Sequence, residues 1–389
     1  MSEVKFIPPE QNPWLVRSLQ SFFYLVAYFV FNFRLVISEA DLAKVRAIAN
    51  SRVVYLPNHS NLDDGMVVFQ LSARVGQMFH YIVAIEAFRG AIGKLIRKVG
   101  AYSIRRGVAD RPSVVQTLKI LQEPAAKLVI FPEGGCSYQN DTVIPFRTGA
   151  VELAFKALER LYKQSGAVAD LYIVPVSLKY CYPEITAAEI SQALRDLEAA
   201  LEIKTEGDNY VRIRAISERI LTNLEAEYLS SQVDITQDGD RRIQNLRTRM
   251  LDYCEEKLDL TSRVQMRDRE RVYKIQSVLR NLEDRDKNSA IDYEHIYLTT
   301  VRLLNFDAIY DGYIAEKPTL ERYLATIDRF EREVFQIDQA KPKGKRKIIT
   351  TIGTPINLKD HWQAYQTEKG ATIDKLTLAA QQEVQAHLD

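Results

Sequence analysis

The sequence predicts an α/β fold: a mostly parallel central sheet flanked by helices, with an inserted all-helical lobe and an N-terminal membrane-associating helix. Three observations predict it. Apolar strand patterns alternate with helical patterns across residues 41–184, which is typical of a parallel sheet covered by helices. Residues 185–344 contain helical patterns alone, and α/β character returns over residues 345–389. An aromatic, apolar segment lies within residues 1–40.

The N-terminal segment is predicted to bind a membrane surface without crossing it. The apolar run from Ser18 to Phe33 lies between Arg17 and Arg34, and its 16 residues would form a helix about 24 Å long. The hydrocarbon core of a bilayer is about 30 Å thick, so a span is marginal and an interfacial helix fits better. The alternative is a helix buried within the protein. We see no secretory signal in the first 14 residues.

The α/β region alternates regularly from Arg52 to Tyr180. The strand patterns are RVVYL, HYIVAI, AYSI, KLVIFP and DLYIVPVSLKY, and the helical patterns between them are DGMVVFQLSARV, FRGAIGKLIRKV, RPSVVQTLKILQ and TGAVELAFKALERLYKQ. Ligand sites in such sheets form outside the carboxyl ends of the strands. The polar stretches NHSNLDD and EGGCS each follow a strand, which predicts a site at this edge.

The predicted lobe over residues 185–344 contains successive amphipathic helices. Their apolar positions fall within 213–228, 243–258, 272–282, 293–304 and 319–335. The basic stretch from Lys341 to Lys347 is interpreted as a solvated linker, with anionic lipid or an acyl carrier protein as possible contacts. The strand from Lys347 to Thr351 should then pair with the main sheet near Leu171–Leu178.

Composition limits the classes of function. The 389 residues are 46% hydrophobic and 26% charged, with a net charge of +1, which does not predict a nucleic-acid partner. The three cysteines, Cys136, Cys181 and Cys254, lack metal-ligand spacing, which favours reduced thiols in a cytosolic setting. A metallohydrolase is disfavoured because the histidines form no ligand cluster.

His59 and Asp64 are the first candidates for catalysis. In a loop that enters a helix, a carboxylate five residues beyond a histidine can bond one ring nitrogen and leave the other as a base. Such a base can activate a substrate hydroxyl directly. The alternative is a polar loop in which Asp63 or Asp64 caps the next helix.

Four blocks in order resemble the glycerolipid acyltransferase superfamily, the group of 1-acylglycerol-3-phosphate and glycerol-3-phosphate acyltransferases. They are NHSNLDD, GAYSIRR, FPEGGCS followed by PFRTGA, and VPV. The strand TTIGTPINL resembles the one that closes the family's domain. The resemblance covers roughly residues 45–180 and 346–389, and the helical stretch between them lies outside it.

The resemblance implies a role for each matching residue. His59 would be the general base and Asp64 its orienting partner, Arg106 would hold the glycerol phosphate, and Arg147 occupies a commonly basic position. Glu133 and Gly134 would shape the acceptor pocket, and no metal, cofactor or prosthetic group is implied. Gly135 and Cys136 replace the usual Thr-Arg, which puts phosphate binding in doubt. Cys136 also suggests an alternative mechanism, in which its thiol near His59 forms an acyl-enzyme intermediate.

The sequence therefore predicts an O-acyltransferase of phospholipid synthesis. It would move a fatty acyl group from acyl-CoA or acyl carrier protein to the hydroxyl of 1-acylglycerol-3-phosphate, as a peripheral or monotopic protein on the cytoplasmic face of a membrane. Glycerol-3-phosphate or another lysophospholipid is the alternative acceptor. The non-enzymatic alternative is a membrane-bound scaffold with a decayed site, which binds a partner through the helical insertion.

Overall fold

A computed structural model of the chain describes residues 6–229, 238–260, 266–283, 291–306 and 310–389. Within these ranges, eight strands form one sheet. They are β1 (Phe33–Ile37), β2 (Arg52–Pro57), β3 (His80–Ala84), β4 (Ala101–Ile104), β5 (Lys127–Val129), β6 (Leu171–Cys181), β7 (Arg346–Ile352) and β8 (Ile356–Asn357). The α-helices are α1 (Pro13–Phe29), α2 (Glu39–Ala47), α3 (Asp64–Arg74), α4 (Gly90–Lys98), α5 (Arg111–Gln122), α6 (Gly149–Ser165), α7 (Ala187–Ala200), α8 (Asn209–Tyr228), α9 (Gly239–Lys257), α10 (Asp268–Glu283), α11 (Tyr293–Asn305), α12 (Tyr313–Glu316), α13 (Leu320–Val334), α14 (Trp362–Thr367) and α15 (Lys369–Ala386).

The sheet is mostly parallel, as predicted. The strand order is β1-β7-β6-β2-β5-β3-β4, and β8 pairs separately with β6. The pairings of β6 with β7 and with β8 are antiparallel, and the other pairings are parallel. The strand predicted at residues 347–351 is β7, and it pairs with the second half of β6 in the register Ser177↔Thr351.

Helices cover both faces of the sheet. Strand β2 is central, and its residues alternate between the two cores: Val54 and Leu56 pack towards α5, α6 and α15, while Val53 and Tyr55 pack towards α1, α2 and α3. A strand buried on both faces needs apolar residues at every position. This explains why β2 appears in the sequence as an uninterrupted apolar run.

Helices α7 to α13 form a lobe with an apolar core of its own. Buried residues that line this core include Leu194, Ile216, Leu251, Ile275, Ile296 and Ile327. The five helices predicted from apolar spacing are present as α8, α9, α10, α11 and α13. Helix α7 was not among the predicted helices. It begins with a capping box formed by Thr186 and Glu189, which is a local sequence signal for a helix start.

The basic stretch from Lys341 to Lys347 is a solvated linker only in part: Lys341, Lys345 and Lys347 are exposed, whereas Lys343 and Arg346 are held by carboxylates. The Lys343 side chain is 9% exposed, and its ammonium lies 2.5 Å from Asp328 and 2.6 Å from Glu331. Arg346 is buried, and its guanidinium lies 2.7 Å from the Asp63 carboxylate. These charges tie the end of the lobe to the sheet because a buried cation requires a partner.

The N-terminal helix differs in its limits from the predicted run of Ser18 to Phe33. Helix α1 begins earlier, where the Asn12 side chain accepts a hydrogen bond from the Leu15 amide, and it ends at Phe29. Asn32 has a positive φ of 54°, and this turn sends Phe33–Ile37 into the sheet beside β7. Among the described residues, no helix combines the length and apolarity needed to cross a membrane.

The buried pair of Arg346 and Asp63 should contribute strongly to stability. We expect Arg346→Met to lower the free energy of unfolding by about 3–5 kcal/mol, because the buried Asp63 carboxylate would lose its cation. The matched control is Lys345→Met, since Lys345 is exposed and lies 3.9 Å from Glu184; it should change little. Urea unfolding followed by circular dichroism measures both, and equal effects would refute this account.

Candidate active site

The loop after β2 carries the candidate base. The Asn58 side chain binds the backbone of β6 twice: it accepts a hydrogen bond from the Leu178 amide at 2.7 Å and donates one to the Leu178 carbonyl at 3.1 Å. The His59 carbonyl accepts hydrogen bonds from the Ser137 amide and hydroxyl, at 2.7 and 3.1 Å. The backbone on both sides of the imidazole is therefore fixed.

His59 and Asp64 form a hydrogen-bonded pair. The His59 Nδ1 atom lies 2.9 Å from Asp64 Oδ2. Because a carboxylate can only accept, Nδ1 is the donor of this hydrogen bond, and in the neutral imidazole Nε2 is then the nitrogen with the lone pair. Phe131 lies against the imidazole, with 4.5 Å between the ring centroids. Asp63, the residue before α3, makes no side-chain capping bond, which argues against the capping interpretation.

The Asp64 carboxylate is fully buried and accepts two further hydrogen bonds. The Asn61 amide donates to Oδ2 at 2.9 Å, and the Tyr180 hydroxyl donates to Oδ1 at 2.5 Å. Burial, with the nearby Asp64 charge, raises the pKa of Tyr180 well above its usual value, so the phenol keeps its proton and remains a donor. Tyr180 has no signal in the sequence, because its contact with Asp64 joins residues 116 positions apart.

Glu133 connects two backbone segments. Its Oε1 atom accepts a hydrogen bond from the His59 amide at 2.6 Å, and Oε2 accepts one from the Ile144 amide at 3.0 Å. The side chain is buried, and burial raises the pKa of Glu133 to about 8, against the lowering effect of its two backbone hydrogen bonds and of Arg269. Glu133 thus connects the loop that carries the candidate base to the segment at Ile144.

Gly134 and Arg147 lie side by side. Gly134 has a φ of +74°, and a Cβ atom there would come within 2.6 Å of Arg147 Nε. Both properties favour glycine at this position. The Arg147 amide also donates to the Pro132 carbonyl at 2.8 Å, which returns the chain to the same turn.

Arg106 and Arg147 converge on Tyr273 of α10. Their guanidinium carbons lie 4.4 and 5.7 Å from the centroid of the Tyr273 ring. Arg106 also lies 3.8 Å from the Glu86 carboxylate. Arg105, by contrast, bonds Asp110 through both its backbone and its side chain, so it stabilises its own turn. The structure thus brings the predicted arginines together around a residue of the lobe.

The two departures from the family pattern also face the lobe. A Cβ atom on Gly135 would overlap the Tyr273 hydroxyl. The Arg269 guanidinium donates to the carbonyls of Gly135 and Cys136, at 3.2 Å each. Burial, with the nearby Asp64 charge, raises the pKa of the Cys136 thiol well above its usual value. A thiol that keeps its proton is a poor nucleophile, which argues against the acyl-enzyme rival.

Residues 38–179 match the model of the family described as Acyltransferase. The chain therefore carries a domain of the glycerolipid acyltransferase superfamily, as the order of its motifs predicted. The matched range includes His59, Asp64, Arg106, Glu133 and Arg147, and it excludes the helical lobe. No curated protein matches the chain.

The buried Glu133 should make stability depend on pH. In the folded protein its carboxyl holds a proton up to about pH 8, whereas in the unfolded chain it ionises near 4.5. The folded state therefore binds the extra proton between these values, and the stability that Glu133 contributes should fall as pH rises through this interval. Glutamine cannot ionise, so the urea midpoint of Glu133→Gln should fall less steeply with rising pH than that of the wild type. Parallel pH dependences of the two proteins would disprove this.

Proposed function

We propose that this protein transfers a fatty acyl group from an acyl thioester to the hydroxyl of 1-acylglycerol-3-phosphate. Acyl-CoA or acyl carrier protein would be the donor. The observation that carries the proposal is the pair of His59 and Asp64, in which a buried carboxylate orients the imidazole and leaves Nε2 as a base. The pair lies in the part of the chain that belongs to an acyltransferase family.

The chemistry requires one base and no covalent enzyme intermediate. Nε2 of His59 would take the proton of the acceptor hydroxyl while its oxygen attacks the thioester carbonyl. The tetrahedral intermediate then collapses, the carbon–sulfur bond breaks, and the imidazolium returns the proton to the leaving thiolate. Asp64 would stabilise the imidazolium electrostatically without taking its proton. Tyr180 and the Asn61 amide support this by holding the carboxylate in place.

The arginines on the lobe side of the site support a phosphate-bearing acceptor. Arg106 and Arg147 lie near one aromatic ring, and planar guanidinium groups bind phosphate oxygens in pairs. Arg269 adds a cation beside Cys136, where the family commonly has arginine.

We also propose that α1 and α4 hold the protein on the cytoplasmic face of a membrane. Trp14, Phe29 and Ile92 are 87%, 72% and 70% exposed, respectively, which is unusual for large apolar side chains. The two helices are joined where the Asn12 amide donates to the Lys98 carbonyl at 2.9 Å. Lys94 and Lys98 add positive charge suited to anionic lipid.

His59→Ala should reduce acyl transfer by about 10²–10⁴-fold, because removing a general base typically costs this much. The assay uses purified protein, both donor types, and a panel of 1-acylglycerol-3-phosphate, glycerol-3-phosphate and lysophospholipid acceptors. Cys136→Ser is the matched control and should remain active. Activity of His59→Ala within tenfold of wild type would reject the mechanism. If the wild-type protein acylates none of these acceptors, the result would favour the scaffold interpretation.

Removing the exposed apolar side chains of α1 and α4 should abolish membrane binding. We expect the triple variant Trp14→Ser, Phe29→Ser, Ile92→Ser to lose sedimentation with phosphatidylcholine–phosphatidylglycerol vesicles. High salt should release little wild-type protein, because apolar burial is not screened. The control is Val211→Ser with Leu378→Ser, two exposed apolar residues on other helices. A triple variant that still sediments would place the anchor elsewhere.

A further inference from the structure

Helix α10 of the lobe packs tightly against the loop that follows β4. Gly107 in this loop has a φ of +78°, and a Cβ atom there would lie 2.5 Å from the carbonyl carbon of Tyr273. The missing side chain lets the helix backbone come close enough for the Tyr273 ring to reach the site. Tyr273 itself is 1% exposed.

Gly135 makes room for the other end of the same side chain. Its hypothetical Cβ atom would overlap the Tyr273 hydroxyl, and Cζ of the ring would lie 3.2 Å away. Two glycines, one in each loop, thus accommodate one tyrosine of the lobe. The replacement of the family's usual Thr by Gly135 has a physical reason in this contact.

We propose that Tyr273 is the positioning residue for the acceptor's phosphate: its ring holds Arg106 and Arg147 so that they bind a phosphate monoester together. A guanidinium group over an aromatic face is attracted by the ring quadrupole, and it keeps its edge N–H donors available for an anion. The proposal rests on the proposed function. It assigns acceptor recognition to the lobe, which lies outside the family match.

The charges of α10 support an anion at this place. Glu86, which lies near Arg106, also forms an ion pair with Arg280 of α10. Arg280 therefore offsets the Glu86 charge and leaves Arg106 able to attract a phosphate. Arg269, one turn before Tyr273, fixes the turn at Gly135 and Cys136 through its two carbonyl contacts.

Binding of glycerol-3-phosphate tests the proposal without requiring turnover. Isothermal titration of the full chain in detergent compares the wild type, Tyr273→Leu and Tyr273→Phe, with glycerol as the phosphate-free comparator and inorganic phosphate as a second anion. We expect Tyr273→Leu to weaken glycerol-3-phosphate and phosphate binding by about tenfold. Tyr273→Phe keeps the ring and should rescue binding. Unchanged or tighter binding by Tyr273→Leu would overturn the proposal, as would a wild type that binds neither anion.

A second pair of variants tests the contact itself. Gly135→Ala should weaken glycerol-3-phosphate binding, because its methyl group overlaps the Tyr273 hydroxyl, and the double variant with Tyr273→Phe should recover it. Tyr297→Leu, an exposed tyrosine on α11, is the control and should bind like the wild type. No recovery in the double variant would overturn the proposal.

The two proposals can fail separately. A wild type that transfers no acyl group but binds glycerol-3-phosphate through Tyr273 would reject only the proposed function. A wild type that transfers acyl groups but binds glycerol-3-phosphate equally well without Tyr273 would reject only the positioning role.

Discussion

The buried carboxylate of Asp64 is the constraint on which the site depends. A desolvated carboxylate is costly unless donors surround it, and Asp64 has three: His59, the Asn61 amide and the Tyr180 hydroxyl. Tyr180 can reach it only because β6 is long. The first half of β6 pairs with β2 up to Val176, and its second half continues past the end of β2 and pairs with β7. Strand β6 thus supports the candidate base through Tyr180.

Neighbouring carboxylates are kept apart by different partners. Asp64 binds the imidazole, whereas Asp63 binds Arg346 at 2.7 Å and accepts a hydrogen bond from Gln339 at 3.1 Å. Each of the two neighbouring carboxylates therefore has a positively polarised partner of its own. The segment that leaves the lobe and enters β7 therefore stabilises the charge pattern of the site as well as the sheet.

The sequence predicted what local patterns encode. The alternation of strand and helical patterns predicted the parallel sheet, and the five-residue spacing of His59 and Asp64 predicted their contact. Strand β1 was missed because the aromatic run continues through Phe31 to Phe33, and only the turn at Asn32 separates helix from strand. Tyr180 and Tyr273 could not be predicted, since their contacts cross 116 residues or lie between lobe and domain. Such contacts leave no periodicity in a single sequence.

The loop from Gly135 to Asp141 explains why the lobe cannot be a passive addition. Buried arginines of the lobe bind it at successive points: Arg269 at the Gly135 carbonyl, Arg329 at the Ser137 carbonyl at 2.8 Å, and Arg322 at the Asp141 carboxylate at 2.7 Å. A buried guanidinium group without its acceptors would be strongly destabilising, as would Asp141 without its cation. The loop and the lobe therefore require each other to be folded. Since the same loop supports His59 through Ser137, the lobe acts on the geometry of the candidate base as well as on Arg106 and Arg147, which lie against its Tyr273.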